Sequence, residues 1–155
     1  MKKVIFTIAL NFIGATLILA QASFKDSKID LAYKQYIQLK DALVASKGDE
    51  AKKFGTQLQQ TLTALSNGKK GAVEAGKIAG TEKLADQRKA FSLLSNEMKT
   101  LIKANKPASG ILYLEYCPMA NNNEGAFWLS NEKEIKNPYF GDKMLKCGSV
   151  KETIQ

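Results

Sequence analysis

Residues 81–104, TEKLADQRKAFSLLSNEMKTLIKA, decide the fold class. Leu84, Phe91, Leu94, Met98, Leu101 and Ile102 fall on one stripe at helical spacing, with charged and polar residues between them. Asn105-Lys106-Pro107 ends the helix, because proline disfavours helical geometry in the residue before it. Met98 lies on the stripe and reads as core, since a thioether fills irregular apolar gaps well.

The same period extends upstream. From Ser27 to about Ser46, Ile29, Tyr33, Tyr36, Ile37, Leu43 and Val44 recur at three- and four-residue steps, with Asp26 or Ser27 as the cap. Gly48-Asp49 is expected to end that helix and begin the next. The second runs from Glu50 to about Ser66 on Ala51, Phe54, Leu58, Leu62 and Leu65, with Gly55 a mild cost inside it. Residues 69–80 are rich in Lys, Gly and Ala and read as a short helix over Ala72–Ala79. Amphipathic helices with short connections fold back on one another. The expected fold is mainly α, an antiparallel bundle of three or four helices.

After Pro107 the character changes. Ile111–Cys117 and Ala126–Ser130 are rich in strand-favouring residues, and Pro118–Gly125 between them reads as a loop, giving a small β-hairpin. A turn-rich stretch follows through Asn137-Pro138-Tyr139-Phe140-Gly141 to Cys147-Gly148. About 50 residues make a poor independent core, so residues 23–155 are expected to form one domain: a bundle over 27–104 and a Cys/Met region over 107–155.

Export is written at the amino end. Lys2 and Lys3 precede an apolar run from Val4 to Ala20, and Ala20-Gln21-Ala22 is a small-residue cleavage site. Residues 1–22 therefore read as a signal peptide, with a periplasmic or secreted mature chain. Four interruptions in a run of about 17 residues disfavour a membrane anchor. Loss of Lys2 and Lys3 lowers the formal charge from +8 to +6. The lysines are scattered among acids and Arg88 is the sole arginine, so a nucleic-acid partner is not expected. The chain has no His, which leaves Cys117 without a base for nucleophilic work, and no carboxylate pairing indicates acid–base chemistry. The reading is a binding protein rather than an enzyme.

Two segments carry sulfur: Cys117-Pro118-Met119 and Met144-Leu145-Lys146-Cys147. If they meet, two thiolates and two thioethers face one point, a soft donor set suited to Cu(I) or Ag(I). Trp128 is close enough in sequence to cover such a cation, and Tyr116 flanks the first thiol. The same spacing also fits a Cys117–Cys147 disulfide in an exported interaction module. Such a bridge closes a loop of about 30 residues and stabilises by roughly 3 to 4 kcal/mol on the chain-entropy model.

Tyr116-Cys117-Pro118-Met119-Ala120, Gly125-Ala126-Phe127-Trp128-Leu129-Ser130, Asn137 through Met144, and Cys147-Gly148 resemble a bacterial exported domain of unknown function. That domain occurs alone and fused to periplasmic adaptor subunits of copper/silver-type efflux pumps. The resemblance is specific over Leu112–Val150 and looser over the helical half, where Arg88, Phe91 and Leu94 fit the long helix. Cys117 and Met119 also resemble the Tyr-x-Cys-Pro-Met-His motif of heavy-metal-binding domains, with Ala120 in place of the histidine. It implies a soft-metal role beside an efflux adaptor, with Cys117, Met119, Met144 and Cys147 as ligands and Tyr116 and Trp128 around them.

Overall fold

The first helix is fixed by its cap: Asp26 Oδ1 accepts the backbone N–H groups of Lys28 (2.8 Å) and Ile29 (3.2 Å). The computed structural model describes residues 21–155, so residues 1–20 of the expected signal peptide lie outside the described residues. Helices α1 (Ser27–Val44), α2 (Gly48–Thr63), α3 (Lys69–Ala79) and α4 (Leu84–Ala104) each pack against the next in sequence. A sheet of β1 (Leu112–Cys117), β2 (Ala126–Ser130) and β3 (Ser149–Ile154) follows, with a 3-10 turn at Gly141–Met144. Among the described residues no helix is long and apolar enough to cross a membrane.

The expected stripes are the buried ones. Phe91, Leu94, Met98, Leu101 and Ile102 of α4 meet Tyr33, Tyr36 and Leu43 of α1 and Leu58 and Leu62 of α2 in one apolar cluster. Helix boundaries differ in places. The first helix leaves through Ser46, which takes a left-handed φ of 56°, and Gly48 already belongs to α2. The third helix is longer than the Ala72–Ala79 reading. It packs through small residues: a Cβ on Gly55 of α2 would lie 3.2 Å from the Ala75 carbonyl oxygen. The Gly55 cost noted above thus accompanies a close helix–helix approach.

The sheet has the order β2-β1-β3, all antiparallel, with a bulge between Leu114 and Glu115 where β1 meets β3. β1 and β2 are the expected hairpin strands; β3 is an addition. Two tyrosines close the outer edge of β2. Tyr36 Oη accepts the Leu129 N–H (3.1 Å) and pairs with Ser95 Oγ (2.7 Å), while Tyr139 Oη donates to the Phe127 carbonyl (2.5 Å). Edge groups that would otherwise invite a foreign strand are satisfied internally. At the other end of the fold, Ser23 and Ser109 form an antiparallel bridge that ties the start of the described chain to the linker before β1.

Glu115 sits fully buried in β1, opposite Trp128. Neither carboxyl oxygen has a hydrogen-bond partner; the Trp128 indole N–H is close by without meeting hydrogen-bond geometry. Burial pushes its pKa up to about 8 against the opposing pull of the Lys40 ammonium, which is itself buried and paired to Asp41. A carboxyl pKa raised on folding favours the folded state below its ordinary pKa, and that contribution is lost as pH rises toward the folded value. Relative to Glu115→Gln, the wild type should match near pH 4 and melt several degrees lower at pH 8. Thermal melts across that range check this; parallel curves contradict it.

Candidate thiol–thioether site

Strand pairing brings the two sulfur segments together. Cys117 ends β1 fully buried, and the Tyr116–Ser149 register of β1 with β3 lays Gly148 and Cys147 beside it. Gly148 has φ +141°, and a Cβ there would lie 2.8 Å from the Trp128 ring and 3.0 Å from the Tyr116 carbonyl oxygen. Only glycine lets the chain pass so close. The residue before it, Cys147, is thereby carried alongside Cys117, and both thiols are free. The neighbouring Cys117 thiol, with burial adding to it, pushes the Cys147 pKa up to about 11, while the Met119 backbone N–H works the other way. At neutral pH the Cys147 thiol keeps its proton.

The segment between the turns is held by Asn137, which is fully buried. Its N–H donates to the Leu145 carbonyl (2.8 Å), and its carbonyl accepts the Gly141 N–H (3.0 Å). Its side chain donates from Nδ2 to the Cys147 carbonyl (2.7 Å) and accepts the Tyr139 N–H at Oδ1 (2.8 Å). Arg88 fastens the same segment to the bundle. Its Nε donates to the Pro138 carbonyl (2.9 Å), and Nη2 donates to the Leu43 carbonyl and to Ser46 Oγ (each 3.0 Å). Tyr139 carries the segment into the core, its ring 5.7 Å from Phe91 and 5.9 Å from Trp128.

The model of a family described as a protein of unknown function (DUF3347) matches residues 32–110. That is half of the chain. The chain belongs to this family. No curated protein and no solved structure matches it. The DUF3347 match runs from within α1 to just short of β1, whereas the resemblance read from the sequence rested mainly on Leu112–Val150. Cys117, Met119, Met144 and Cys147 of this DUF3347 member lie beyond the matched span.

Around the thiols the expected residues are placed unequally. Met119 is 46% exposed and Met144 half-buried; both line one cleft of about 620 Å³, walled by Arg88, Lys89, Tyr139 and Phe140. Trp128 shares a sheet face with Cys117, because Glu115 and Trp128, and Cys117 and Ala126, are directly opposed pairs. Tyr116 projects to the opposite face, its ring 4.6 Å from Phe127, and approaches the thiols through its carbonyl. Among the described residues no three His, Cys, Asp or Glu side chains gather as a metal cluster. Any ion here relies on the two thiolates and on thioether sulfur.

Asn121, Asn122 and Asn123 lie in the Pro118–Gly125 stretch expected to be a loop. The three have φ values of 51°, 56° and 68°, a left-handed turn at the rim of the cleft. Asparagine tolerates that region better than other side-chain-bearing residues, which gives the triplet a reason. Asn137 and Arg88 were missed as the supports of the site. An Asn-Pro pair inside an aromatic-rich segment was the available signal, and it also reads as ordinary turn chemistry.

Replacing Asn137 by Ala leaves the Cys147 carbonyl and the Tyr139 N–H without partners. The expected loss is about 2 to 4 kcal/mol, measured by urea unfolding. A change within about 0.5 kcal/mol would show that Asn137 holds nothing.

Proposed function

We propose that this protein is an exported binding protein for a soft monovalent cation, Cu(I) or Ag(I), serving as an accessory to metal efflux in the bacterial envelope. The Cys117 and Cys147 thiolates are the principal ligands, and Met119 and Met144 supply thioether sulfur from the cleft side. The observation that carries the reading is the β1–β3 pairing, which lays Cys147 alongside Cys117 with both thiols free. Two adjacent thiolates match the low coordination number and softness of these cations and suit Mg²⁺ or Ca²⁺ poorly. Trp128, on the same sheet face, gives one wall of the site a water-excluding aromatic surface.

Export is supported by the charged start, apolar run and Ala20-Gln21-Ala22 site. The partner, a periplasmic efflux adaptor, is supported by the sequence resemblance alone. The protein binds and delivers; it does not catalyse. A permanent disulfide in an interaction module is the competing reading, and the same pairing supports it. Against its necessity stands Asn137, whose hydrogen bonds already hold Cys147 in place.

The test is competition for Cu(I) between the reduced protein and a chromophoric chelator, beside a Cys117→Ser/Cys147→Ser variant. The variant should bind weaker by roughly a hundredfold or more. Because each thiol ligand must shed a proton and the Cys147 pKa stands at about 11, wild-type affinity should climb with pH across the neutral range. The rise approaches about tenfold per pH unit for each proton released. Equal, weak competition by both proteins overturns the proposal.

A further inference from the structure

We infer that Cys117 and Cys147 are a reversible dithiol–disulfide pair that gates the soft-metal site, open to the cation when reduced and closed when bridged. The inference rests on the metal reading above and adds its regulation.

Three observations carry it. The thiols are free and sit on segments that the β1–β3 pairing holds side by side, so a bridge joins neighbouring stretches of chain. The segments bearing them are joined by bonds that owe nothing to sulfur. Asn137 holds the Cys147 carbonyl, the Cys147 N–H donates to the Met144 carbonyl (3.0 Å), and β3 pairs along β1. Breaking the bridge therefore releases no part of the fold, unlike a disulfide that staples a small domain. Finally, the pair is asymmetric: Cys117 is fully buried and Cys147 is part-exposed.

That asymmetry sets the order of exchange with a small external disulfide. The small thiolate fraction of part-exposed Cys147, formed by loss of its proton to solvent, attacks one sulfur of the external disulfide. The external bond breaks, and one small thiolate leaves and takes up a proton. Cys117 then loses its proton and attacks Cys147 Sγ, expelling the second small thiol. The protein dithiol is oxidised by two electrons and the external disulfide is reduced to two thiols. Both lone pairs that would hold the cation are then committed to, or flank, a sulfur–sulfur bond, and no thiolate remains.

The test exposes the reduced protein to oxidised glutathione, with and without one equivalent of Ag(I), and follows intact mass. Wild type should lose both thiols without retaining an adduct, and Ag(I) should slow this at least fivefold. Cys117→Ala should stop as a glutathione adduct on Cys147, whereas Cys147→Ala should stay unmodified. The oxidised wild type should keep its circular dichroism spectrum and lose its competition for Cu(I). Equal competition by oxidised and reduced forms overturns the gate and leaves the metal reading standing. Failure of the reduced form to compete overturns the metal reading and the gate with it. Loss of structure on reduction identifies a staple and also overturns the gate.

Discussion

Asn137 occupies a fully buried position in a segment that has no regular ladder to satisfy its backbone, and its amide supplies what the ladder would have. Between Asn137 and Cys147 the chain must turn, drop Tyr139 into the core and rise again to meet β1. Each buried N–H or C=O left unpaired on that path costs roughly 1 to 3 kcal/mol. The four hydrogen bonds of this one residue reach Leu145, Gly141, Tyr139 and Cys147, so they fix both ends of the path together. The thiol of Cys147 has its position as a consequence.

The helices supply the platform for that arrangement. Arg88 on α4 grips the Pro138 carbonyl and the end of α1 at once, and Phe91 one turn on receives Tyr139. Tyr36 of α1 reaches across to β2 and stacks on Phe91, ring centroids 5.2 Å apart. The bundle therefore does more than bury apolar surface: its polar side chains end on the sheet and on the Asn137 segment. A DUF3347 match confined to residues 32–110 covers this platform and stops short of the sulfur atoms it holds up.

Much of the fold could be read from residues 81–104 and the two stripes upstream, because large apolar groups at helical spacing have few other uses. The third helix was under-read for a related reason. Its buried face is Gly71, Ala72, Ala75 and Ile78, and small residues packed by close approach leave a faint periodic signal. β3 escaped altogether because Ile154 is the one residue it buries, so hydrophobic alternation had nothing to register. The meeting of the two sulfur segments followed from their paired composition. What brings them together did not, since a buried asparagine with satisfied bonds and an exposed one in a turn look alike in a sequence. Buried Glu115 was unreadable for the converse reason: a lone acid in a strand ordinarily faces water.

Non-covalent bonds alone hold the two unbridged thiols side by side. The most direct measurement is nuclear magnetic resonance of the reduced protein with ¹³C-labelled cysteine β-carbons. Both β-carbons should show reduced-thiol shifts, and a strong cross-relaxation peak should connect the β-protons of Cys117 with those of Cys147. Reduced shifts with no such peak would place the sulfurs apart and contradict the account.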